Sequence, residues 1–243
     1  MAIADFLPNR LRLQLRALRY LTQIRPRLFG NMERECPACG EKGYFFAAGH
    51  QPRYDAQCSN CGSLERHRLM ALAFGRLPLI SSNDRVVHFA AETIVTEMIR
   101  QMGADYRSAD ITPGRCDLEL NIEAIDLPEG DVTVFVANHV LEHVDDRKAL
   151  GELYRVLSPG GRLIISVPII HGWDKTYENP LIQTDAGREL HFGQFDHVRY
   201  YGNDLRDRIK DAGFSLDEFV CGGEESVRYG LLYGDRIFIG TKP

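Results

Sequence analysis

The stretch 131–168, DVTVFVANHVLEHVDDRKALGELYRVLSPGGRLIISVP, constrains the fold more than any other part of the chain. An apolar strand ends at Asn138 and a helix follows over about 146–157. The turn Ser158-Pro159-Gly160-Gly161 then feeds a second strand over 163–167. Strand, helix and strand in this order make one βαβ unit, which requires a parallel pair with a crossover helix. The same alternation holds from Arg85 onward, with strands expected over 86–90, 106–110 and near 117–121, and a helix over 93–101. A helix over 203–212 and strands over 214–220 and 236–240 close the chain. The loop joining the last two strands has too little helical pattern for a crossover, so that pair is expected to be antiparallel. The fold class is therefore α/β, a mostly parallel sheet with helices on both faces.

Composition narrows the function. At 243 residues and 44% hydrophobic content, the chain can fill the core of one large domain, or of one domain plus a small module. A formal net charge of −5 disfavours a general nucleic-acid-binding protein. No apolar run is long enough for a bilayer, and the N-terminus lacks the apolar core of a secretory signal, so the expected location is cytoplasmic.

Three regions are expected: a basic amphipathic helix over 1–30, a four-cysteine zinc-binding module over 31–64, and an α/β domain over 65–243. In the first, Arg10, Arg12, Arg16, Arg19, Arg25 and Arg27 accompany Leu11, Leu15, Leu18 and Leu21 at three- and four-residue spacing, which predicts a helix up to Pro26. Such a helix suits a peripheral membrane or protein contact. Its modest net hydrophobicity favours the other reading, a helix packed on its own domain with arginines in solvent. In the second, Cys36-Pro-Ala-Cys39 and Cys58-Ser-Asn-Cys61 give C-x2-C-x18-C-x2-C, each pair followed by a glycine, Gly40 and Gly62. Four thiolates satisfy a tetrahedral Zn²⁺ and leave no open position, so the metal is structural. Cys116 and Cys221 have no partners at ligand spacing and read as small buried residues. Arg66, His67 and Arg68, on a helix expected from Glu65 to about Gly75, read as a structural link through ion pairs.

The segment 171–201 has no clear periodicity and is unusually polar for a connection within a sheet. It carries Thr176-Tyr177-Glu178, then Arg188, then Phe192-Gly193-Gln194-Phe195-Asp196-His197-Val198-Arg199-Tyr200-Tyr201-Gly202. Long connections of this kind are often binding loops or lids. The βαβ unit resembles the middle of the class I S-adenosylmethionine (SAM)-dependent methyltransferases. The polar segment, together with Cys61-Gly-Ser-Leu-Glu-Arg-His-Arg68 ahead of His88-Phe89-Ala90, resembles a family of bacterial class I methyltransferases over roughly 36–240. The resemblance implies a Rossmann-like sheet whose last strand is antiparallel, making 65–243 a SAM-dependent methyltransferase domain.

In open α/β sheets the ligand lies beyond the carboxyl ends of the strands. The cofactor-binding residues expected there are Ala90, Ala91 and Glu92 after the first core strand, Asp110 at the end of the second, and Asn121, Ile122, Asn138 and His139. Ala90-Ala91-Glu92 departs from the family's glycine-rich loop, and it also argues against a dinucleotide fingerprint. Asp110 suits the ribose hydroxyls, or a turn cap in Asp110-Ile-Thr-Pro-Gly. The resemblance implies that Asn121 and Ile122 meet the adenine. Glu142 and His143 read as shaping a helix start. Catalytic candidates on the acceptor side are His197, His191 and Glu178, as bases toward an acceptor hydroxyl. Tyr177, Arg188, Gln194, Asp196 and Arg199 are the substrate-binding candidates, the arginines toward a carboxylate or phosphate.

The expected function is SAM-dependent methyl transfer to oxygen or nitrogen of a small-molecule or sugar-like acceptor, with SAM and a structural Zn²⁺ as cofactors. Two other readings are a zinc-ribbon adaptor with a non-catalytic methyltransferase-like domain, kept open by the glycine-poor first loop, and a nucleic-acid methyltransferase, which the acidic balance disfavours.

Overall fold

The computed structural model describes residues 9–30, 32–49 and 52–243, except for the side chains of residues 9, 10, 12, 16, 25 and 26. Readings that rest on residues 1–8, or on the side chains of Arg10, Arg12, Arg16, Arg25 and Pro26, lie outside the described residues. The chain divides into two units: Met1–Arg68 with Gly222–Tyr233, and Leu69–Cys221 with Gly234–Pro243.

In the first unit, helix α1 (Asn9–Leu28) runs through Pro26 and stops two residues beyond it. The fixed φ of proline is helical, and its missing N–H leaves the Thr22 carbonyl without its usual intrahelical donor. The expectation that this helix packs on its own domain does not hold for the described residues. Leu11, Leu15, Leu18 and Leu21 are 41%, 47%, 57% and 63% exposed. Among the described residues, contacts gather at the C-terminal end: Phe29 stands edge-on to Phe46 with ring centroids 6.4 Å apart, and the Arg27 guanidinium lies over Tyr54. Strands β1 (Glu33–Glu35) and β2 (Lys42–Tyr44) form one antiparallel ribbon, and β3 (Phe46–Ala48) and β4 (Arg53–Gln57) another. Each of the two cysteine pairs follows one strand, β1 or β4.

Helix α2 (Glu65–Arg76) follows, and the division between units falls inside it, after Arg68. Arg68 is fully buried. Its guanidinium donates to the carbonyls of Ala56, Ser63, Tyr229 and Gly230 and lies 4.5 Å from the Phe45 ring centroid. The structural role expected of this arginine is thus fulfilled through backbone carbonyls of its own unit rather than through ion pairs.

The second unit is built on one sheet: β5 (Arg85–Phe89), β6 (Asp105–Asp110), β7 (Leu118–Glu119), β8 (Val132–Asn138), β9 (Leu157–Ser166), β12 (Ser215–Val220) and β13 (Arg236–Thr241). Its spatial order is β7-β6-β5-β8-β9-β13-β12. The first five strands are parallel, β13 is antiparallel to β9, and β12 is antiparallel to β13. Val86, Val87, Val134, Phe135 and Val136 are completely buried, as expected for central strands covered on both faces. Helix α3 (Thr93–Gln101) buries Val95 and Ile99, one turn apart. Helix α4 (Asp146–Val156) buries Ala149, Leu150, Leu153 and Val156, and its N-cap Asp145 accepts a bond from the Lys148 amide. Strand β9 begins six residues earlier than expected, because the Pro-Gly-Gly turn is bound to the chain's end. Gly160 N–H donates to the Lys242 carbonyl, and Lys242 N–H donates to Gly161. A Cβ on Gly161 would meet the Ser158 oxygen at 2.8 Å, so a glycine is required at this approach.

The segment without periodicity does contain short elements: β10 (Tyr177–Glu178), α5 (Asp185–Phe192) and β11 (Arg199–Tyr200), followed by α6 (Leu205–Asp211). β10 and β11 pair antiparallel, and Thr184 and Gly193 cap α5 at its two ends. These elements are too short to show a period in sequence. Between β12 and β13 the residues Gly222–Tyr233, with helix α7 (Gly223–Tyr229), belong to the first unit. There Arg228 pairs with Glu35 at 2.6 Å, and Arg34 donates to the Val227 carbonyl. No described helix is long and apolar enough to cross a membrane.

A buried histidine in β5 yields a stability prediction. His88 is fully buried, with Nδ1 3.1 Å from the Tyr106 hydroxyl and Nε2 without a hydrogen-bond partner among the described residues. Burial pushes its pKa down to about 4. The unfolded chain therefore binds a proton that the folded chain does not. Stability is fully present above pH ~6.5 and falls by roughly 3 kcal/mol as pH drops toward 4. Urea unfolding at pH 7 and pH 5 should show about 2 kcal/mol of this loss in the wild type and a flatter dependence in His88→Leu. An identical pH dependence in the two proteins would contradict it.

Candidate functional site

Sheet register fixes where the site lies. Phe89 pairs with both Ala109 and Ala137, so Ala90, Asp110 and Asn138 emerge side by side at the carboxyl edge. A cavity of about 480 Å³ opens there, a size suited to a small-molecule cofactor. Of the residues expected to bind cofactor, Ala90, Asp110, Asn121, Ile122 and His139 line it. Ile111 and Leu120 add apolar wall beside them. Ala90 and His139 both have left-handed backbone, at φ 47° and 54°. Ala90 thus adopts, without being glycine, the conformation that a glycine-rich loop would supply. Such strain persists where surrounding structure enforces it, often beside binding sites.

Asp110 Oδ1 accepts from the Thr112 amide at 2.7 Å, so the turn cap engages one oxygen of a carboxylate that also faces the cavity. The Asn121 side chain is held similarly by the Glu123 amide at 3.0 Å. Ala91, Glu92 and Asn138 are not among the cavity walls. Asn138 is buried and its Oδ1 accepts from the Ser166 hydroxyl at 3.0 Å, tying β8 to β9. Glu92 occupies the N-cap position of α3.

The polar segment contributes Arg188 and Asp196 to the cavity. Arg188 also lines a second hollow of about 650 Å³, together with Glu178, Asn179 and Arg199. The Arg188 Nε is buried without a hydrogen-bond partner among the described residues. Gln194 donates to Asp196 at 2.8 Å. The other candidates are committed elsewhere. Glu178 is held by Arg199 and Arg208, each at 2.9 Å. Burial alone would raise its pKa, but the bonds from the two arginines outweigh this and lower it, which makes it a poor base. Arg199 is buried and donates to the carbonyls of Leu141 and Val144, so it anchors the segment. His191 Nδ1 lies 2.9 Å from the Tyr177 hydroxyl on an exposed face, and neither residue lines the cavity.

His197 is buried behind the wall, edge-to-face with His143 at 4.7 Å between ring centroids. Burial lowers its pKa below the usual imidazole value. His143, read from sequence as part of a helix start, lines the cavity together with His139. It sits on a 3-10 turn, Leu141–His143, immediately beyond β8. The only signal for it was its position just past the carboxyl end of a core strand, which by itself does not separate a turn residue from a pocket residue.

In the first unit the four cysteine sulfurs converge. Cys36 and Cys61 Sγ are 3.7 Å apart, and Cys39 and Cys58 Sγ are 3.9 Å apart. Four thiolates at ~2.3 Å from one tetrahedral ion would be separated by about 3.8 Å, so the donor set fits Zn²⁺. The turns behave as the spacing predicts. Gly40 and Gly62 have φ of 76° and 73° and donate to the Cys36 and Cys58 carbonyls.

The family described as "Methyltransferase domain" matches residues 78–165. The ubiquinone/menaquinone biosynthesis C-methyltransferase UbiE of Pectobacterium carotovorum is 27% identical over 201 residues, covering 74% of this chain and 79% of that protein. The UbiE of Escherichia coli O1:K1 is 26% identical over 185 residues, with 69% and 73% covered. Among solved structures, a chain from the Haloferax volcanii complex of the Trm112 methyltransferase activator with a methyltransferase aligns at TM-score 0.53 and 14% identity, covering 74% of this chain and 90% of that one. The Haemonchus contortus phosphoethanolamine N-methyltransferase 2, solved with SAM, aligns at TM-score 0.52 and 11% identity, covering 75% and 53%. At these identities the structural likeness establishes the fold.

Proposed function

As the chain belongs to the class I SAM-dependent methyltransferases, we propose that it transfers the cofactor's methyl group to an oxygen or nitrogen of a small-molecule or sugar-like acceptor. The observation that carries this reading is the cavity at the carboxyl edge, whose lining combines Asp110, Asn121, Ile111 and Ile122 with His143, Arg188 and Asp196. SAM supplies an electrophilic sulfonium methyl. Asp110 would accept hydrogen bonds from the ribose hydroxyls, Asn121 would meet the adenine edge, and Ile111 and Ile122 would flank its faces. Arg188, with its buried unpartnered Nε, would hold an anionic group of the acceptor. The acceptor's reacting atom would lie at the part of the cavity that His143 lines. Positioning accounts for much of the rate in such a transfer. The polar acceptor end speaks against a non-catalytic scaffold. The C-methyltransferase names of the relatives make carbon the outcome to test alongside oxygen and nitrogen.

We further propose that Cys36, Cys39, Cys58 and Cys61 hold a structural Zn²⁺, supported by their sulfur spacing.

Asp110→Ala tests the cofactor assignment. Two hydrogen bonds from hydroxyls to a carboxylate are worth a few kcal/mol, so SAM affinity should fall about 10- to 100-fold while zinc content stays at one per chain. Unchanged affinity would remove Asp110 from the ribose site.

A further inference from the structure

We propose that Glu142, His143 and His197 form a second metal site, for a divalent cation at the acceptor end of the cavity, and that it receives the acceptor through an oxygen atom such as an enolate, a phenolate or a carboxylate. The oxygen-bearing acceptor rests on the methyltransferase reading above; the cation site itself does not.

One ligand atom from each of the three residues lies within 4.8 Å of the others. Ligands at about 2.0–2.2 Å from one ion are roughly 3–4 Å apart, so closing on a cation needs only small side-chain rotations. Glu142 is 1% exposed, and its Oε1 meets His139 Nδ1 at 3.2 Å. Its Oε2 is buried and has no hydrogen-bond partner among the described residues. A buried, unsatisfied carboxylate oxygen is costly, and a cation removes the cost.

Each imidazole also keeps one ring nitrogen available to a ligand. His143 Nδ1 is 3.3 Å from the Asp196 carbonyl, and His197 Nδ1 is 3.2 Å from the Phe192 carbonyl. A carbonyl only accepts, so each Nδ1 carries the proton and each Nε2 keeps its lone pair. Histidine ligands are characteristically oriented in this way by a carbonyl on the other ring nitrogen. Two imidazole nitrogens and one carboxylate oxygen suit Zn²⁺, Mn²⁺, Fe²⁺ or Co²⁺ better than Ca²⁺.

Three protein ligands leave coordination positions open, unlike the closed set of four thiolates in the first unit. His143 forms part of the cavity wall, which sets the cluster against the cavity. A hydroxyl coordinated there loses its proton to solvent at lower pH than a free one. Its oxygen then attacks the methyl carbon. The carbon–sulfur bond breaks as the carbon–oxygen bond forms, and the sulfonium leaves as the neutral thioether of S-adenosylhomocysteine (SAH).

The test is a Co²⁺ titration of the full chain with zinc retained at the cysteines, read by visible d–d absorption, with calorimetric SAH binding measured on the same samples. The wild type should take up one equivalent of Co²⁺ without a thiolate-to-cobalt charge-transfer band. His143→Gln and Glu142→Gln should each weaken it by at least about 100-fold while retaining zinc and SAH binding. Cobalt entering only with a thiolate band, or binding equally well to variants that retain SAH binding, would overturn the site. Cobalt bound and lost as expected, in a wild type that does not bind SAH, would leave the cation site standing and remove the methyl acceptor from it.

Discussion

Replacing Cys36 with serine is expected to unfold the first unit, with zinc content falling from one per chain to none. The buried apolar cluster around this cysteine consists of Cys36, Phe45 and Cys58, with Ala38 and Cys61 packed against it. So few groups cannot offset the conformational entropy of ordering this part of the chain. Structural Zn²⁺ sites contribute about 10–16 kcal/mol of binding free energy, and where no site preforms, that is folding free energy. Cys36 is the most buried of the four cysteines, and its Sγ lies 3.1 Å from the Ser63 hydroxyl, so serine there loses both a ligand and a packed atom. Limited proteolysis should cut the variant, and chelator-treated wild type, between residues 36 and 61, where the zinc-loaded chain resists. Equal resistance of all three would show that the metal does not hold this unit.

Asp146→Ala is expected to destabilise the second unit by about 3–5 kcal/mol, the cost of leaving buried cations without their partner. The Asp146 side chain is 3% exposed and takes Arg208 at 2.9 Å, the Tyr201 hydroxyl at 2.9 Å and, more distantly, Arg199 at 3.8 Å. Arg199 and Arg208 are themselves buried, with side chains 8% and 7% exposed. This cluster fastens the polar segment to α4 and α6, so its loss should also loosen the acceptor side of the cavity. Glu178→Gln provides the contrast. Its carboxylate bonds the same two arginines but is 41% exposed, so water screens the pair and replaces the lost contact. Urea unfolding of both variants measures the difference; equal losses would contradict the account.

The sheet was legible because its strands announce themselves. Val86 to Phe89 and Val132 to Ala137 are apolar runs bounded by helices with an i, i+4 period, and only a parallel, doubly covered sheet accepts that pattern. The cysteine module was legible for a different reason, since ligand spacing is a local property of the chain. The acceptor side was not. Whether Glu178 is a base or an ion-pair partner depends on Arg199 and Arg208, which lie 21 and 30 residues away in the chain. His143 and His197 meet across 54 residues, and nothing in either neighbourhood reports the other. The exposed leucines of α1 were misjudged because periodicity reveals an apolar stripe but not whether anything covers it. Likewise, a return of the chain to the first unit at Gly222–Tyr233 leaves no mark in hydrophobic pattern.

The most direct test of the central claim is calorimetric titration of the zinc-loaded protein with SAM and with SAH. The account predicts micromolar binding of both at one site per chain, weakened in Asp110→Ala. Folded, zinc-loaded protein that binds neither would contradict it and favour a scaffold that no longer catalyses.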